Sequence, residues 1–341
     1  MHDIVRSISY KNGSISSNFI KNRPLKKGLS ISVCTFNRPL SLLRFMKSLL
    51  NQTIKPDELI IVDSSYENET ERIFDINFLN RINFDVHYFR VTGKLRGLTV
   101  QRNFAIKNLS FDLNCFFDDD IILFGDTLET LVMHLRSNND LIASGCRINP
   151  NNGNYLLPMR WKIRKILGLW GEEDIGYLSY AGMAIPQSLF GDFSGIKYVD
   201  IVPGGATCWR TSILKENNFN ERFMGYGQAE DIEYSLRTKR LGKKVIVGSA
   251  KVIHLHDKDG RPNSYSYGKQ CSLGFFYIFC RYSHRKIKNF FGFILWQLLD
   301  LFYLFFCGIK EPKKFQEFIG RFMGLVEFII NSLVDKKKTS I

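Results

Sequence analysis

Three consecutive aspartates, Asp118-Asp119-Asp120, directly follow the apolar run Cys115-Phe116-Phe117. Carboxylates clustered at the end of a buried strand repel one another, and a divalent cation outweighs that repulsion. Carboxylates with Mn²⁺ or Mg²⁺ suit a substrate that carries a diphosphate. The competing reading is a solvated acidic turn before a helix, where the dipole also favours aspartate. A second acidic pair, Glu230-Asp231, opens the stretch Ile232-Glu233-Tyr234-Ser235-Leu236-Arg237. There a carboxylate serves either as a helix cap or as a positioned base. His254-Leu255-His256 follows Lys251-Val252-Ile253, and alternation at a strand end puts both imidazoles on one face.

Short strands and helices alternate around these residues. Leu29–Thr35 and Glu58–Asp63 read as strands; the second is almost wholly apolar, as a parallel strand covered on both faces is. Between them Leu42, Leu43, Phe45, Met46, Leu49 and Leu50 recur at helical spacing. Asp85–Arg90 reads as a third strand and 97–109 as a helix feeding the strand that ends at Asp118. Thr127–Leu135 follows as a helix and Asp140–Arg147 as a strand. This alternation predicts an α/β fold, a Rossmann-like, mostly parallel sheet with helices on both faces. Ligands of such sheets sit beyond the carboxyl ends of the strands, where Thr35–Arg38, Asp63–Ser65 and Asp118–Asp120 fall. Three regions are expected: a basic, loosely ordered arm over 1–28, a catalytic domain over 29–256 and a helical region over 257–341.

Lys and Arg number 47 against 33 Asp and Glu, a net charge of +14. That balance favours anionic partners. A basic motif interleaved with aromatics, as nucleic acid requires, is missing from the sequence, which leaves nucleotides and phospholipid surfaces. The seven cysteines are scattered without a C-x-x-C pair and read as core residues of a cytoplasmic protein. The first residues lack the apolar stretch of a signal peptide.

Thr35-Phe36-Asn37-Arg38, Glu58–Ser65, Arg102-Asn103, Phe117–Asp120, Gly204-Gly205 and Glu230-Asp231 stand in the order and approximate spacing of family-two glycosyltransferases. Over 29–256 the chain resembles that family, of bacterial surface-polysaccharide type. The resemblance implies a GT-A fold, a nucleoside-diphosphate-sugar donor, Mn²⁺ or Mg²⁺, and inversion at the anomeric carbon. It assigns Asp231 as base and Glu230 as its acceptor-binding or supporting partner. It assigns Thr35, Arg38, Asp63, Arg102, Asp118 and Gly205 to the donor, with Asp63 on the base. Metal ligation falls to Asp118, Asp120 and one histidine, His256 ahead of His254, and Arg261 to a lid over the diphosphate. The Q-x-x-R-W of processive synthases is absent after Asp231, which implies one sugar per event. A nucleotidyltransferase would carry a glycine-rich basic loop after the first strand, unlike Cys34–Arg38. A non-catalytic membrane scaffold would not keep all of Asp118, Asp120 and Asp231.

Phe291–Ile309 is apolar except for Gln297 and Asp300, which share one helical face. A charge at mid-span is costly in a bilayer, so a helix in the membrane interface or packed on the domain is expected. Phe315–Leu333 shows a broad apolar stripe, and Lys336-Lys337-Lys338 follows. These helices predict peripheral contact with the inner face of the plasma membrane and a glycan or lipid-linked acceptor. Trp161, Trp170 and Tyr180 are expected to pack rather than stack on a sugar.

Overall fold

In the computed structural model, β-strands carry every candidate site residue but Arg38, Arg102, Asp120, Gly205, Glu230, Asp231 and His256, which lie just past strand ends or in helices. The structure describes residues 4–11, 14–16, 24–73, 82–149, 157–284 and 286–338. The strands are β1 (Ile4–Lys11), β2 (Ser14–Ser16), β3 (Lys26–Thr35), β4 (Glu58–Asp63), β5 (Asp85–Val91), β6 (Phe111–Asp118), β7 (Ile121–Leu123), β8 (Leu141–Ile148), β9 (Ile196–Val199), β10 (Ala206–Arg210) and β11 (Lys243–His254). The helices are α1 (Pro39–Leu50), α2 (Glu69–Arg72), α3 (Leu98–Lys107), α4 (Thr127–Ser137), α5 (Met159–Ile166), α6 (Thr211–Glu216), α7 (Glu230–Arg237), α8 (Ser264–Tyr282), α9 (Ile287–Gly308) and α10 (Pro312–Lys338).

All strands join one sheet in the order β2-β1-β5-β4-β3-β6-β10-β8-β11-β7, with β9 also on β11. Strands β5, β4, β3 and β6 run parallel, whereas β10 is antiparallel to both β6 and β8. From β3 the chain first builds outward through β4 and β5, then returns to β6 on the other side. Strands β3 and β6 therefore flank the point where the winding reverses, and a crevice opens there beyond their carboxyl ends.

The sheet is covered on both faces because β4 and its neighbours are apolar on both. Ile31, Val33, Leu59, Ile61, Cys115 and Phe117 join one buried cluster with α1 and α4. Ile60, Val62 and Phe116 point to the other, with Ala105 and Ile106 of α3 and Tyr234 of α7. Each fully buried aliphatic or aromatic side chain contributes roughly 1.5–3 kcal/mol. On the second face the serines of β3 take polar partners: Ser30 donates to Glu58 at 2.6 Å and Ser32 to Asn114 at 2.8 Å.

One expectation is corrected. The segment read as a loose arm contributes β1, which pairs antiparallel with β5 from Ile4↔Val91 to Tyr10↔Val86, and β2 beyond it. Backbone hydrogen bonds to an otherwise open edge, not apolar content, hold this strand, so its polar composition concealed it. The basic stretch Lys21-Asn22-Arg23 lies outside the described residues. After β11 the chain is helical, with α8 packed along α10 and α9 against both the helical layer and the 169–189 loops.

Candidate active site at the sheet switch point

A cleft of 670 Å³ opens beyond β3 and β6. Its first wall is the aspartate run. Asp119 is buried and turned back into the protein: Thr35 Oγ1 donates to it at 2.6 Å and Arg38 Nη1 at 3.0 Å. Burial, against the pull of Arg38, pushes its carboxyl up to about 7. Asp118 and Asp120, on either side, meet His254, and Asp120 Oδ2 also lies 3.6 Å from Arg38 Nη1. One ligand atom from each of these three lies within 4.8 Å of the others.

Asp120 Oδ1 is buried with no hydrogen-bond donor aimed at it, and His254 Nε2 stands 3.0 Å away. Its other oxygen accepts from Asp257 N at 3.0 Å. Burial alone would raise the Asp120 carboxyl, but His254 and Arg38 hold it below the ordinary aspartate range. Burial works against protonated His254 too, yet Asp120 and Asp118 lift it above the ordinary imidazole value. Two carboxylates and an imidazole, one oxygen unsatisfied, fit a divalent cation. β11 ends at His254, which reaches Asp120, so His254 and not His256 joins this candidate group. His256, in the left-handed region at φ 55°, stacks on the His254 ring at a centroid distance of 4.0 Å and lines the cleft.

The second wall is Gly204-Gly205 and the start of α7. Asp118 N donates to Gly205 O at 3.0 Å, and a side-chain carbon at 205 would lie 2.0 Å from Asp118 Cγ. Any larger residue must therefore push Asp118 off the cation site. We expect Gly205→Ala to fold but lose the Mn²⁺-dependent rise in melting temperature. An undiminished rise would show that Asp118 ligation does not depend on this approach.

Ala229 precedes α7 at φ 72°, a strained conformation for a residue with a Cβ, and it sets Glu230 and Asp231 against the cleft. Asp231 accepts from Gly204 N at 3.1 Å and from Ile232 N at 2.8 Å, and remains partly open to the cleft. Burial raises its carboxyl despite nearby Arg102. Glu230 is buried, and burial with Asp231 beside it pushes it up to about 8. Arg102, expected at the donor phosphates, lines the cleft and ties its two walls together. Its Nη1 donates to Glu230 at 2.6 Å and its Nη2 lies 3.6 Å from Asp118, with the rings of Phe116 and Phe219 at 5.5 and 5.2 Å.

Asp63 departs furthest from expectation. It is 0% exposed and does not line the cleft. Ser65 N at 2.8 Å and Tyr88 OH at 2.7 Å occupy its two oxygens. Sequence reading missed Tyr66 and Arg96, which do line it. The Arg96 guanidinium lies 4.4 Å over the Tyr66 ring, and Phe36 meets that ring edge-on at 5.3 Å. These residues sit in loops without periodicity, so the only signal was an aromatic just past a strand end. Arg261 lines the cleft and donates to Asp257 O at 2.8 Å; Arg38 Nη2 reaches that same carbonyl at 3.1 Å. Trp161 packs on Trp170 and Trp296, with 5.6 Å between centroids in each case, as expected.

The cation site has a pH signature. Only neutral imidazole ligates, so a metal here must displace the His254 proton. Because folded His254 titrates above 6.5, Mn²⁺ affinity should rise about tenfold per pH unit while His254 is protonated, then level off. In His254→Ala the slope should fall by one proton. Calorimetric Mn²⁺ titrations across pH test this, and an unchanged slope would remove His254 from the ligand set.

A candidate cation-ligand trio faces a carboxylate across the switch point of a wound sheet, and the fold is that of the GT-A class. Residues 30–195 match the family model described as Glycosyl transferase family 2. That segment is just under half of the chain. Among similar proteins is a GalNAc(5)-diNAcBac-PP-undecaprenol beta-1,3-glucosyltransferase of Campylobacter jejuni. It is 25% identical over 197 residues, 58% of this chain and 56% of that protein. A glucosyl-dolichyl phosphate glucuronosyltransferase of Haloferax volcanii is 30% identical over 125 residues, 36% of this chain and 39% of that protein. The chain thus spans about half or less of these relatives. A mannosyltransferase from Pyrobaculum calidifontis, solved with GDP-Man and Mn²⁺, shares the fold. Its TM-score is 0.52 at 11% identity, over 91% of this chain and 88% of that one. The family match ends at 195, before Gly204, Asp231 and His254, and the sheet brings these onto the matched half of the cleft.

Proposed function

We propose that this chain transfers a single sugar, with inversion, from a nucleoside-diphosphate donor to a lipid-linked glycan in bacterial surface-polysaccharide assembly. One observation carries the reading: Asp118, Asp120 and His254 form a cation-ligand set in the same cleft as a partly open carboxylate, Asp231, on the facing wall. Both relatives are named for substrates that contain a polyprenyl lipid, which supports a lipid-linked acceptor. A cytoplasmic location on the inner membrane face fits a nucleotide donor and that acceptor.

Inverting transfer is a single in-line displacement. Asp231, held by Gly204 N and Ile232 N, takes the acceptor hydroxyl proton as that oxygen closes on the anomeric carbon. Its raised affinity for protons strengthens it as a base. Beside it, Arg102 bonds Glu230 and approaches Asp118, so its charge spans the two walls of the cleft. The nucleoside would lie along Thr35, Phe36, Ser64 and Tyr66, with Arg96 and Arg261 near the diphosphate. Asp118, Asp120 and His254 would hold Mn²⁺ or Mg²⁺, which supplies charge neutralisation for the departing diphosphate.

A thermal-shift panel of UDP-, GDP-, dTDP- and CMP-sugars with Mn²⁺, Mg²⁺ or EDTA tests the reading. A donor at about a hundred times its dissociation constant should add about 2.7 kcal/mol of stability, only with metal and for one base class. A folded protein that shifts with none of them would overturn it.

A further inference from the structure

Two adjoining helices are built inside out. In α5, Arg164 is 3% exposed, whereas Met159, Ile163 and Ile166 face outward, Ile166 at 84%. Their spacing of four and three residues places them on one face. In α9, Asn289 and Gln297 are buried and Asp300 faces the protein. The stripe Phe291, Leu295, Leu298, Phe302, Phe306 and Ile309 is exposed, again at steps of three and four. Arg164 Nη2 donates to Asp300 Oδ1 at 2.5 Å and stacks 5.0 Å over Trp296, so the polar faces lock the helices to each other and to the protein. Asn289 also donates to Tyr180 O at 2.6 Å.

A helix at a water boundary turns its charges out and its apolar residues in. Here the order is reversed on neighbouring helices, one from within the matched segment and one from the C-terminal layer. The exposed charges within or beside them are mostly positive: Arg160, Lys162, Lys165, Lys286, Lys288, Lys310 and Lys313, against Glu172, Glu173 and Glu311, with Glu172 paired to Lys165 at 2.6 Å. A second copy packed face to face would set these like charges against one another. An anionic bilayer matches both features, taking apolar side chains into its acyl boundary and cations among its headgroups. A full span would strand the Arg164–Asp300 pair in hydrocarbon, so the helices lie in the plane.

We propose that α5 and α9 together form a docking face for an anionic phospholipid surface, seated in the interface rather than across it. This goes beyond the transferase reading and is tested without a donor. The intact protein is mixed with preformed vesicles of phosphatidylcholine containing about 30 mol% phosphatidylglycerol, or of phosphatidylcholine alone, and floated. Binding should be about a hundredfold tighter to the anionic vesicles and should weaken severalfold as salt rises from about 0.05 to 0.5 M. Ile163→Glu/Ile166→Glu and Phe302→Glu/Phe306→Glu should each reduce binding at least tenfold, with melting temperatures near that of the parent. Equal binding to both vesicles, or undiminished binding by both variants, would overturn the proposal. A lipid-free dimer that the glutamate variants dissolve would assign the face to a second copy instead. If either variant fails to fold, the lipid and salt comparisons on the unaltered protein still decide.

Discussion

Asp231→Asn should lower turnover by about 10²–10⁴-fold while donor binding stays within about twofold. Asparagine keeps the size of aspartate, and its one oxygen can still accept from either Gly204 N or Ile232 N, which bond different oxygens of Asp231, so the shape of the cleft wall is kept at the loss of one backbone hydrogen bond. What disappears is the capacity to take a proton from the acceptor. The loss should therefore fall on the chemical step and not on the apparent dissociation constant of the nucleotide sugar. Asp231 is raised above the ordinary aspartate range, chiefly by burial. Activity of the parent should accordingly fall with decreasing pH at a higher pH than a solvated aspartate would give. Steady-state kinetics with a saturating donor, beside a binding titration, separate the two quantities. Activity retained within threefold would end the assignment of Asp231 as base.

The second large effect is expected at Asp120. This residue gives one oxygen to Asp257 N and leaves Oδ1 buried, without a hydrogen-bond donor, 3.0 Å from His254. In Asp120→Asn the amide can still meet Asp257 N, but a ligand charge is gone and the group beside His254 is neutral. Mn²⁺ affinity should drop by more than about a hundredfold, and with it the metal-dependent stabilisation by the donor. Turnover should fall in step, because the departing diphosphate then faces the cleft without its counter-charge. Asp119→Asn provides the contrast. Asp119 binds Thr35 and Arg38 rather than facing the trio, so its substitution should cost folding stability and leave metal stoichiometry unchanged. If Asp120→Asn binds Mn²⁺ as the parent does, the trio is not the metal site.

The two wall connections make these effects interdependent. Arg102 bonds Glu230 on one side and approaches Asp118 on the other, at 3.6 Å. A change at either carboxylate leaves a buried cation with fewer partners, so effects at Asp118 and Glu230 should not add. Asp120 and Asp231 each keep backbone partners of their own, which makes them the cleaner pair to test.

Local chemistry determined much of this protein from sequence. β4 is apolar on both faces, and only a parallel strand covered on both sides can use such a segment; the structure places it between β3 and β5. The strand ends that carry Thr35 and Asp118 were legible because a wound sheet sends its ligands to carboxyl ends. The inward turn of Gln297 and Asp300 was legible because three residues span nearly one helical turn.

What sequence withheld depended on partners distant along the chain. β1 is ordered by hydrogen bonds to β5, some eighty residues away, and its own composition records none of that. The division of labour within Asp118-Asp119-Asp120 rests on Thr35 and Arg38 claiming the middle carboxylate. The choice of His254 over His256 rests on where β11 stops, since a residue at φ 55° no longer follows strand alternation. Asp63 looked available for a ligand until Tyr88, from the neighbouring strand, took its second oxygen. Residue type and period set which groups can do chemistry; the long-range contacts of the sheet decide which of them remain unpaired to do it.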